Sequence, residues 1–351
     1  MISYDVVDWG APLEKREHPT PVPSGTEVLL KLKYCGVCHS DVHIRDGYFE
    51  LGGGKRFHMS ERGMKPPITL GHEPYGTVIA AGAGAAEAPI GADRLVCPWS
   101  GCGNCARCLQ GQDNHCMSPR WLGVHRAGGY ADHLLVPHTR YLVDADGIDP
   151  AWAATLACSG LTTYSAVSQL LPIPRDEWVA VLGAGGLGLQ TIGMLRAVGH
   201  ERIVAVDIDA GKFPAARDAG AAATVNGRDA DAAQQLEKIA GGLLYCALDL
   251  VNSTETATLA LSVLRKGGKC VLVGLYGGEV PFSLVTIVQR ALSIIGSNVG
   301  TVAELKAVVE LARAGKIRPI PIEQRTLADV SRTLDQLKAG TVNGRVVAKI
   351  A

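Results

Sequence analysis

The stretch "EWVAVLGAGGLGLQTIGMLRAVG" at 177–199 constrains the fold of this chain more than any other feature. An apolar strand runs into a glycine-rich turn, and the turn opens an apolar helix. Further strands and helices alternate behind it, among them "RIVAVDID", "LYCALDLV" and "GKCVLVGL". This βαβ repetition predicts an α/β fold with a parallel, doubly wound sheet.

The residues before about 145 follow a different pattern. Short β-like stretches such as "TEVLLKLKY" and "GHEPYGTVIAAG" are separated by Gly and Pro. This pattern predicts an irregular, β-rich domain, and the character of the chain changes near Ala151. After Gly300, "TVAELKAVVELARAG" predicts an amphipathic helix and "NGRVVAKI" a closing strand. A length of 351 residues agrees with two domains.

The glycine turn has the pattern Gly183-x-Gly185-x-x-Gly188, and Asp207 ends the next strand. In such a turn the first glycine permits a tight bend, the second lets the backbone approach a pyrophosphate, and the third lets helix pack on strand. A carboxylate at Asp207 accepts hydrogen bonds from ribose hydroxyls and repels a 2′-phosphate, which favours NAD over NADP. The candidate cofactor contacts here are Gly183, Gly185, Gly186, Leu187, Gly188, Asp207 and Lys212. A glycine-rich turn that binds no nucleotide is the alternative.

Charge and the N-terminal stretch limit the classes of partner. Lys plus Arg and Asp plus Glu both number 34, so nothing electrostatic favours nucleic acid or an anionic membrane as partner. "MISYDVVDWG" lacks the basic and apolar regions of a signal peptide. Five glycines interrupt the apolar run 178–195, so a membrane helix is not expected there. We therefore expect a cytoplasmic protein whose thiols are reduced.

Four cysteines are crowded into "CGNCARCLQGQDNHC", with the spacing C-x2-C-x2-C-x7-C. Short loops of this kind let four thiolates converge on one tetrahedral zinc ion, which leaves no position open for chemistry. The candidate structural zinc ligands are Cys102, Cys105, Cys108 and Cys116. An iron–sulfur cluster or a set of unrelated buried cysteines are the alternatives.

Three further motifs contain metal-binding residue types. They are "YCGVCHSDVH" at 34–43, "LGHEPYG" at 70–76 and "LACSGLTTY" at 156–164. Together they offer Cys38, His72 and Cys158, a Cys2His set that can hold zinc with the fourth position open. These residues lie far apart in the chain, so spacing alone does not show that they converge.

Taken together and in order, these motifs resemble the zinc-dependent alcohol dehydrogenases of the medium-chain dehydrogenase/reductase family, from end to end of the chain. The resemblance implies a GroES-like, β-rich catalytic domain at 1–153 and 297–351 and a Rossmann domain at 154–296 that binds NAD. It also implies two zinc ions per subunit, one catalytic and one structural. A narrower similarity is to bacterial enzymes that oxidise cyclic alcohols or ω-hydroxy acids.

The resemblance assigns roles to single residues. Cys38, His72 and Cys158 fall where the family binds catalytic zinc. Asp41 matches the residue that orients the ligand histidine, and Glu73 a carboxylate near the metal. Ser40 matches the group that accepts the substrate's hydroxyl proton, and His43 the histidine that passes it to water. The remaining matches are to cofactor contacts, namely His39 and Arg345 toward the phosphates and Thr162 beside the nicotinamide.

The implied reaction is reversible hydride transfer between an alcohol and NAD, through an alkoxide on zinc, to give an aldehyde or ketone. Primary alcohols, cyclic secondary alcohols and ω-hydroxy acids are the expected substrates. A zinc polyol dehydrogenase and a catalytically silent binding relative are the alternatives. Cys158 favours the alcohol dehydrogenases, because sorbitol-type relatives carry Glu there. A homodimer or homotetramer is expected, with an apolar interface from 274–300.

Two regions are candidates for contacts with the substrate. Trp99 and Trp121 come from regions with which the family lines its cleft. The segment 44–70 is longer than in the commonest family members and reads as a loop. Its basic residues are either solvated surface charges or a group that attracts a substrate carboxylate, namely Lys55, Arg56, Arg62 and Lys65.

Overall fold

The chain divides into two compact units. The computed structural model describes residues 1–350. The first unit comprises Met1–Tyr48, His58–Leu161 and Val299–Ala351, and the second comprises Phe49–Phe57 and Thr162–Asn298. The predicted first domain ends at 153, whereas the structural division falls after Leu161. Helical backbone runs on from Pro150 to Ser168, so no linker marks the change.

The N-terminal part of the chain is mostly β-structure. Its strands are β1 (Ile2–Val6), β2 (Glu14–Glu17), β3 (Val28–Val37), β4 (Tyr48–Gly52), β5 (Lys55–His58), β6 (Ile68–Thr69), β7 (Pro74–Ala81), β8 (Asp93–Val96), β9 (His133–Val136) and β10 (Leu142–Val143). Its helices are α1 (His39–Asp46), α2 (Ala106–Leu109) and α3 (Pro150–Thr155), and a π-helical turn at Leu156–Gly160 leads into α4 (Leu161–Ser168).

The remaining elements follow in chain order. They are β11 (Val179–Leu182), α5 (Gly186–Ala197), β12 (Ile203–Asp207), α6 (Phe213–Asp218), β13 (Ala223–Asn226), α7 (Ala232–Ala240), β14 (Leu244–Asp249), α8 (Thr254–Ser262), β15 (Leu264–Leu272), α9 (Leu284–Arg290), β16 (Ser293–Gly296), α10 (Val302–Arg313), β17 (Ile322–Thr326), α11 (Val330–Lys338) and β18 (Arg345–Lys349).

The first unit is built on a largely antiparallel sheet in the order β10-β8-β7-β3-β18-β17, with β9 also pairing with β3. Strand β3 lies near the centre and is mostly buried. The closing strand β18 pairs antiparallel with it, joining Val346 to Val37. The C-terminal strand thereby completes the N-terminal sheet. A smaller sheet in the order β2-β1-β6 lies in the same unit.

The second unit contains the predicted parallel sheet, in the order β13-β12-β11-β14-β15-β16. All of its pairings are parallel. Strands β11 and β12 at its centre are fully buried, which explains their continuous apolar sequence. No helix within residues 1–350 has the length and apolarity to cross a bilayer.

The hairpin β4–β5 interrupts the first unit in sequence, yet Phe49–Phe57 groups with the second. The Lys55 ammonium lies 3.1 Å from a Glu279 carboxylate oxygen. A Cβ on Gly52 would stand 2.6 Å from the Gly278 carbonyl carbon, so the two backbones approach closely. The loop predicted for this segment therefore contains a hairpin that packs on 277–279.

Candidate active site and metal centres

The four crowded cysteines converge on one point. Their sulfur atoms all lie within 4.8 Å of one another. Individual S···S distances are 3.5 Å for Cys105–Cys108, 3.8 Å for Cys105–Cys116 and 3.9 Å for Cys102–Cys108. Four thiolates at 2.3 Å from a tetrahedral zinc are expected about 3.8 Å apart. The geometry fits a closed zinc site.

Backbone groups around these sulfurs favour thiolate. The amides of Asn104 and Cys105 lower the pKa of Cys102 to about 6. The amide of Cys102 in turn donates to the sulfur of Cys116 over 3.3 Å. A Cβ at Gly101 would lie 2.3 Å from the Cys108 sulfur, so the loop needs glycine at this position.

A buried carboxylate anchors this cysteine loop to the sheet. Asp113 Oδ1 accepts hydrogen bonds from the Tyr141 hydroxyl (2.7 Å), the Arg140 guanidinium (2.6 Å) and the Gly101 amide (3.3 Å). Sequence reasoning missed this group, because the three partners are distant in sequence and form no motif.

A second cluster brings together Cys38, His72, Glu73 and Cys158. One ligand atom from each lies within 4.8 Å of the others, and all four residues are buried. Cys38 lies between β3 and α1, His72 and Glu73 lie just before β7, and Cys158 lies in the π-helical turn. The Cys38 and Cys158 sulfurs are 3.9 Å apart. Tertiary structure thus gathers three remote motifs.

The imidazole of His72 is held for metal binding. Its Nδ1 donates to Asp41 Oδ1 over 3.0 Å, and its Nε2 is buried without a hydrogen-bond partner. Asp41 is fully buried and also accepts from the Tyr130 hydroxyl at 2.6 Å and the Cys38 amide at 3.1 Å. A buried nitrogen with no partner is costly unless a ligand completes it. Two thiols and this nitrogen form the donor set of a catalytic zinc site.

Glu73 lies beside this donor set and is paired with Arg345. The Arg345 guanidinium donates to Glu73 Oε1, while Oε2 is buried without a partner. Burial raises the pKa of Glu73 to about 7, against the opposing charge of Arg345. Gly36 makes room for the carboxylate, since a Cβ there would lie 1.8 Å from Oε2. The structure therefore places Arg345 against Glu73, and its predicted contact with cofactor phosphates stays a prediction.

Helix α1 carries the three residues assigned to cofactor and proton handling. His39 is exposed, whereas Ser40 and His43 are half-buried. The rings of His39 and His43 lie 5.2 Å apart. Burial, together with the nearby His39, lowers the pKa of His43 to about 4. At neutral pH this imidazole is uncharged and can both accept and donate a proton.

The glycine turn has the geometry that its pattern predicts. Gly183 has a φ of 96°, and a Cβ on Gly188 would lie 1.9 Å from the Gly183 carbonyl oxygen. A Cβ on Gly185 would meet nothing within 4 Å. Helix α5 begins at Gly186, the next residue. An open helix N-terminus bordered by glycine fits a pyrophosphate.

Asp207 closes this turn at the end of β12. Its Oδ2 accepts from the Ala184 amide over 2.7 Å, and the Lys212 ammonium lies 3.3 Å from Oδ1. The carboxylate therefore lies beside the turn, where it can meet a ribose. Gly186 and Leu187 form the first turn of α5. Thr162 is buried in α4, in the same unit.

Aromatic rings extend from the second cluster. The ring centroids of His72 and Trp99 lie 5.3 Å apart, as do those of Trp99 and Trp121, and those of Trp121 and His125 lie 5.6 Å apart. The Trp99 indole donates to the Ala157 carbonyl over 2.9 Å, one residue before Cys158. Trp99 and Trp121 thus lie where a wall beside the metal centre is expected.

The basic residues of segment 44–70 separate into two pairs. Lys55 is paired with Glu279 and Arg56 with Glu50, at 3.1 and 2.9 Å. Arg62 and Lys65 instead line a cavity of about 520 Å³ in the first unit. The four basic residues therefore do not lie in one group.

Comparison with known proteins identifies the class. The family described as alcohol dehydrogenase GroES-like domain matches residues 24–146, and that described as zinc-binding dehydrogenase matches residues 186–314. The chain belongs to the zinc-binding alcohol dehydrogenase family. The predicted family and fold class are confirmed.

Individual relatives match this chain along nearly its whole length. The chain is 36% identical to an NAD-dependent alcohol dehydrogenase of Sulfurisphaera tokodaii, over 99% of both chains. It is 34% identical to an alcohol dehydrogenase of Geobacillus stearothermophilus, over 97% of this chain and 96% of that one. The crystal structure of the Aeropyrum pernix alcohol dehydrogenase has a TM-score of 0.89 at 28% identity, covering 99% of this chain and all of the other.

Proposed function

We propose that this chain is a zinc-dependent alcohol dehydrogenase that transfers hydride reversibly between an alcohol and NAD, giving an aldehyde or ketone. The observation that carries the proposal is the buried Cys38–His72–Cys158 set, whose His72 Nε2 has no protein partner. The named activities of the relatives support it. When bound, zinc would supply Lewis acidity toward the alcohol oxygen, and NAD would accept the hydride.

The protein's own groups orient the reactants. Asp41 holds the His72 ring through Nδ1 and so directs Nε2 into the site. The turn at Gly183–Gly188 and the carboxylate of Asp207 would hold the NAD pyrophosphate and ribose. Correct placement of two reactants can remove roughly 7–11 kcal/mol of a barrier. We assign this positioning role to β11, α5 and β12.

Proton removal is assigned to α1. Ser40 would accept the proton of the substrate hydroxyl, and the neutral imidazole of His43 would pass it to solvent. Both residues are half-buried, as a path for a proton between a buried site and solvent requires. His39 and Arg345 would contact the cofactor phosphates, and Thr162 the nicotinamide. These roles rest on the resemblance together with the positions described above.

We further propose that the protein self-associates through the second unit. Strand β16 pairs with β15 and forms one edge of the parallel sheet. Helix α9 exposes Leu284, Val285 and Val288, at 77%, 62% and 78% of their surface. An exposed sheet edge beside an apolar helix face favours pairing with a second copy. The cytoplasm is the location we propose, because four thiols that bind zinc must stay reduced.

The test is an initial-rate panel on the purified enzyme with metal analysis. We expect zinc at both cysteine-containing centres, and NADH formation from primary and cyclic alcohols that exceeds turnover with NADP or sorbitol. Cys38→Ser should lose turnover, whereas Cys270→Ser, a buried cysteine of β15, should retain it. Full-rate turnover after the second centre has been emptied by a chelator would refute the proposal.

A preference for sorbitol over simple alcohols would favour the polyol dehydrogenase alternative. A folded protein that contains zinc and NAD but turns over none of these substrates would favour the silent relative.

A further inference from the structure

Two buried polar atoms beyond Trp99 have no partner in the protein. They are Nε1 of Trp121 and Nδ1 of His125. The rings that carry them are in contact, with centroids 5.6 Å apart and an angle of 71° between their planes. An indole N–H can only donate a hydrogen bond. Buried polar groups without partners are rare in native proteins, so the pair points to a ligand that carries acceptor atoms.

The two rings belong to a row that begins at the metal centre. Trp99 packs against His72, and Trp121 packs edge-on against Trp99 at 87°. The row ends at His125. A substrate whose hydroxyl lies at Cys38, His72 and Cys158 would therefore have an aromatic wall along its chain and polar atoms at the far end of that wall.

The far end of the row borders a cationic cavity. His125 lines the cavity of about 520 Å³, together with Arg62, Lys65 and Arg126. All of these residues belong to the first unit. Burial and the charge of Arg62 lower the pKa of His125, so Arg62 lies close enough to influence the ring. At neutral pH the imidazole is uncharged, and it can donate from Nδ1 in the tautomer protonated there.

The acidic residue of this lining, Asp5, is engaged elsewhere. Its Oδ1 accepts from the Thr69 hydroxyl over 2.7 Å, and its Oδ2 lies 3.3 Å from His18 Nε2. The nearest carboxylate to Arg126 is that of Glu27, at 4.0 Å. The lining therefore carries more positive than negative charge. A carboxylate accepts hydrogen bonds from several donors and also neutralises this positive charge. A neutral hydroxyl accepts from only one donor at a time.

We propose that Trp121, His125 and Arg62 bind the carboxylate of the alcohol substrate, and that the enzyme prefers hydroxy acids to neutral alcohols of the same length. The inference rests on the proposed function and names the substrate class of that site. Trp121 and His125 provide the hydrogen bonds next to the aromatic wall, and Arg62 provides the charge. Lys55 and Arg56 take no part, because each is paired with a carboxylate of the second unit.

The first experiment uses the wild-type enzyme alone. Initial rates are measured with a series of ω-hydroxy acids of increasing length, each compared with its primary amide, which has the same shape and no charge. At the length that spans the aromatic row, kcat/KM for the acid should exceed that for the amide by roughly tenfold to a hundredfold, as for a charge-assisted hydrogen bond.

Variants then test the named residues. Trp121→Phe keeps the ring and removes the N–H, and Arg62→Gln removes the charge. Each should lower kcat/KM for the acid by roughly tenfold or more, and by several-fold more than it lowers kcat/KM for the amide. Lys55→Gln is the matched control in the same segment and should change neither substrate. Retained turnover of the amide shows that a variant is folded.

The outcomes separate this inference from the proposed function. If the enzyme oxidises neutral alcohols but does not favour the acid at any length, the carboxylate site is refuted and the activity stands. Equal losses for acid and amide in Trp121→Phe would also refute it, because the indole would then act as packing. If neither acid nor alcohol is oxidised, the proposed function itself fails.

Discussion

At the scale of single residues, Asp41 organises the metal centre. One buried carboxylate accepts hydrogen bonds from the His72 ring, the Cys38 amide and the Tyr130 hydroxyl. It therefore orients one ligand by its side chain and another by its backbone. Tyr130 had no place in the sequence prediction, because a buried tyrosine resembles any core aromatic residue until its hydroxyl partner is known.

We expect Asp41→Asn to weaken zinc binding at the Cys38–His72–Cys158 site by roughly 10- to 100-fold. The amide cannot accept from His72, the Cys38 amide and Tyr130 in the same way, and it leaves the imidazole poorly oriented. Competition with a chelator followed by metal analysis measures the effect.

Asp113→Asn is the matched control for Asp41→Asn, because it alters the equivalent buried carboxylate beside the four-cysteine loop. It should loosen the structural zinc and spare the catalytic one. If Asp41→Asn releases both ions at the same rate, the carboxylate supports the fold in general and does not position His72.

At the scale of elements, the turn between β11 and α5 shows why a short motif can determine a backbone. Gly188 has no room for a side chain, because a Cβ would stand 1.9 Å from the Gly183 carbonyl oxygen. The obstacle is backbone, which cannot move aside without shifting the strand or the helix. Gly193 lies farther along the same helix, and a Cβ there would meet nothing within 4 Å.

Gly188→Ala should lower the free energy of unfolding by about 1–3 kcal/mol, as overpacking does, and raise the KM for NAD. The methyl group pushes the helix N-terminus away from the strand that positions it. Denaturant unfolding and initial rates at varied NAD measure the two effects.

Gly193→Ala is the control in the same helix and should stabilise the protein by about 0.5–1 kcal/mol, since alanine favours helix. Equal behaviour of the two variants would contradict the assigned role of Gly188.

At the scale of the whole molecule, the apolar face of α9 and the edge strand β16 bear on assembly. Leu284 and Val288 are four residues apart and therefore share one face of the helix. The apolar stretch 274–300 predicts an interface in general terms, and the structure specifies which of its side chains are exposed. The number of subunits stays a prediction.

Val288→Asp should reduce the mass in solution to that of the single chain, because a charge cannot be buried unpaired in an apolar interface. Size-exclusion chromatography with light scattering measures the mass. Val22→Asp changes a residue that is 85% exposed in the first unit and should leave the mass unaltered. A folded Val288→Asp protein with the wild-type mass would show that this face is not the interface.

The sequence by itself determined those elements whose pattern lies within a few neighbouring residues. The strand–turn–helix at 177–199, the closing strand and the four-cysteine loop all follow from spacing and periodicity within a few residues. Helix α9 and strand β13 are not predicted from the sequence, because both are short and lie among residues that are rich in Gly and Pro or in alanine. The sequence predicts a loop where the hairpin β4–β5 forms, since the hairpin's packing partner lies more than two hundred residues further along the chain.

Only the tertiary structure decided which metal-binding residues come together. Cys38, His72 and Cys158 are separated by long stretches, and only the packing of β3, β7 and the π-helical turn brings their side chains within ligand distance. The same packing places Arg345 against Glu73 and sends Arg56 and Arg62 to different surroundings. The residue types in the sequence limit which reactions are possible. The distances between remote residues decide which of these reactions can occur, because those distances depend on the whole fold.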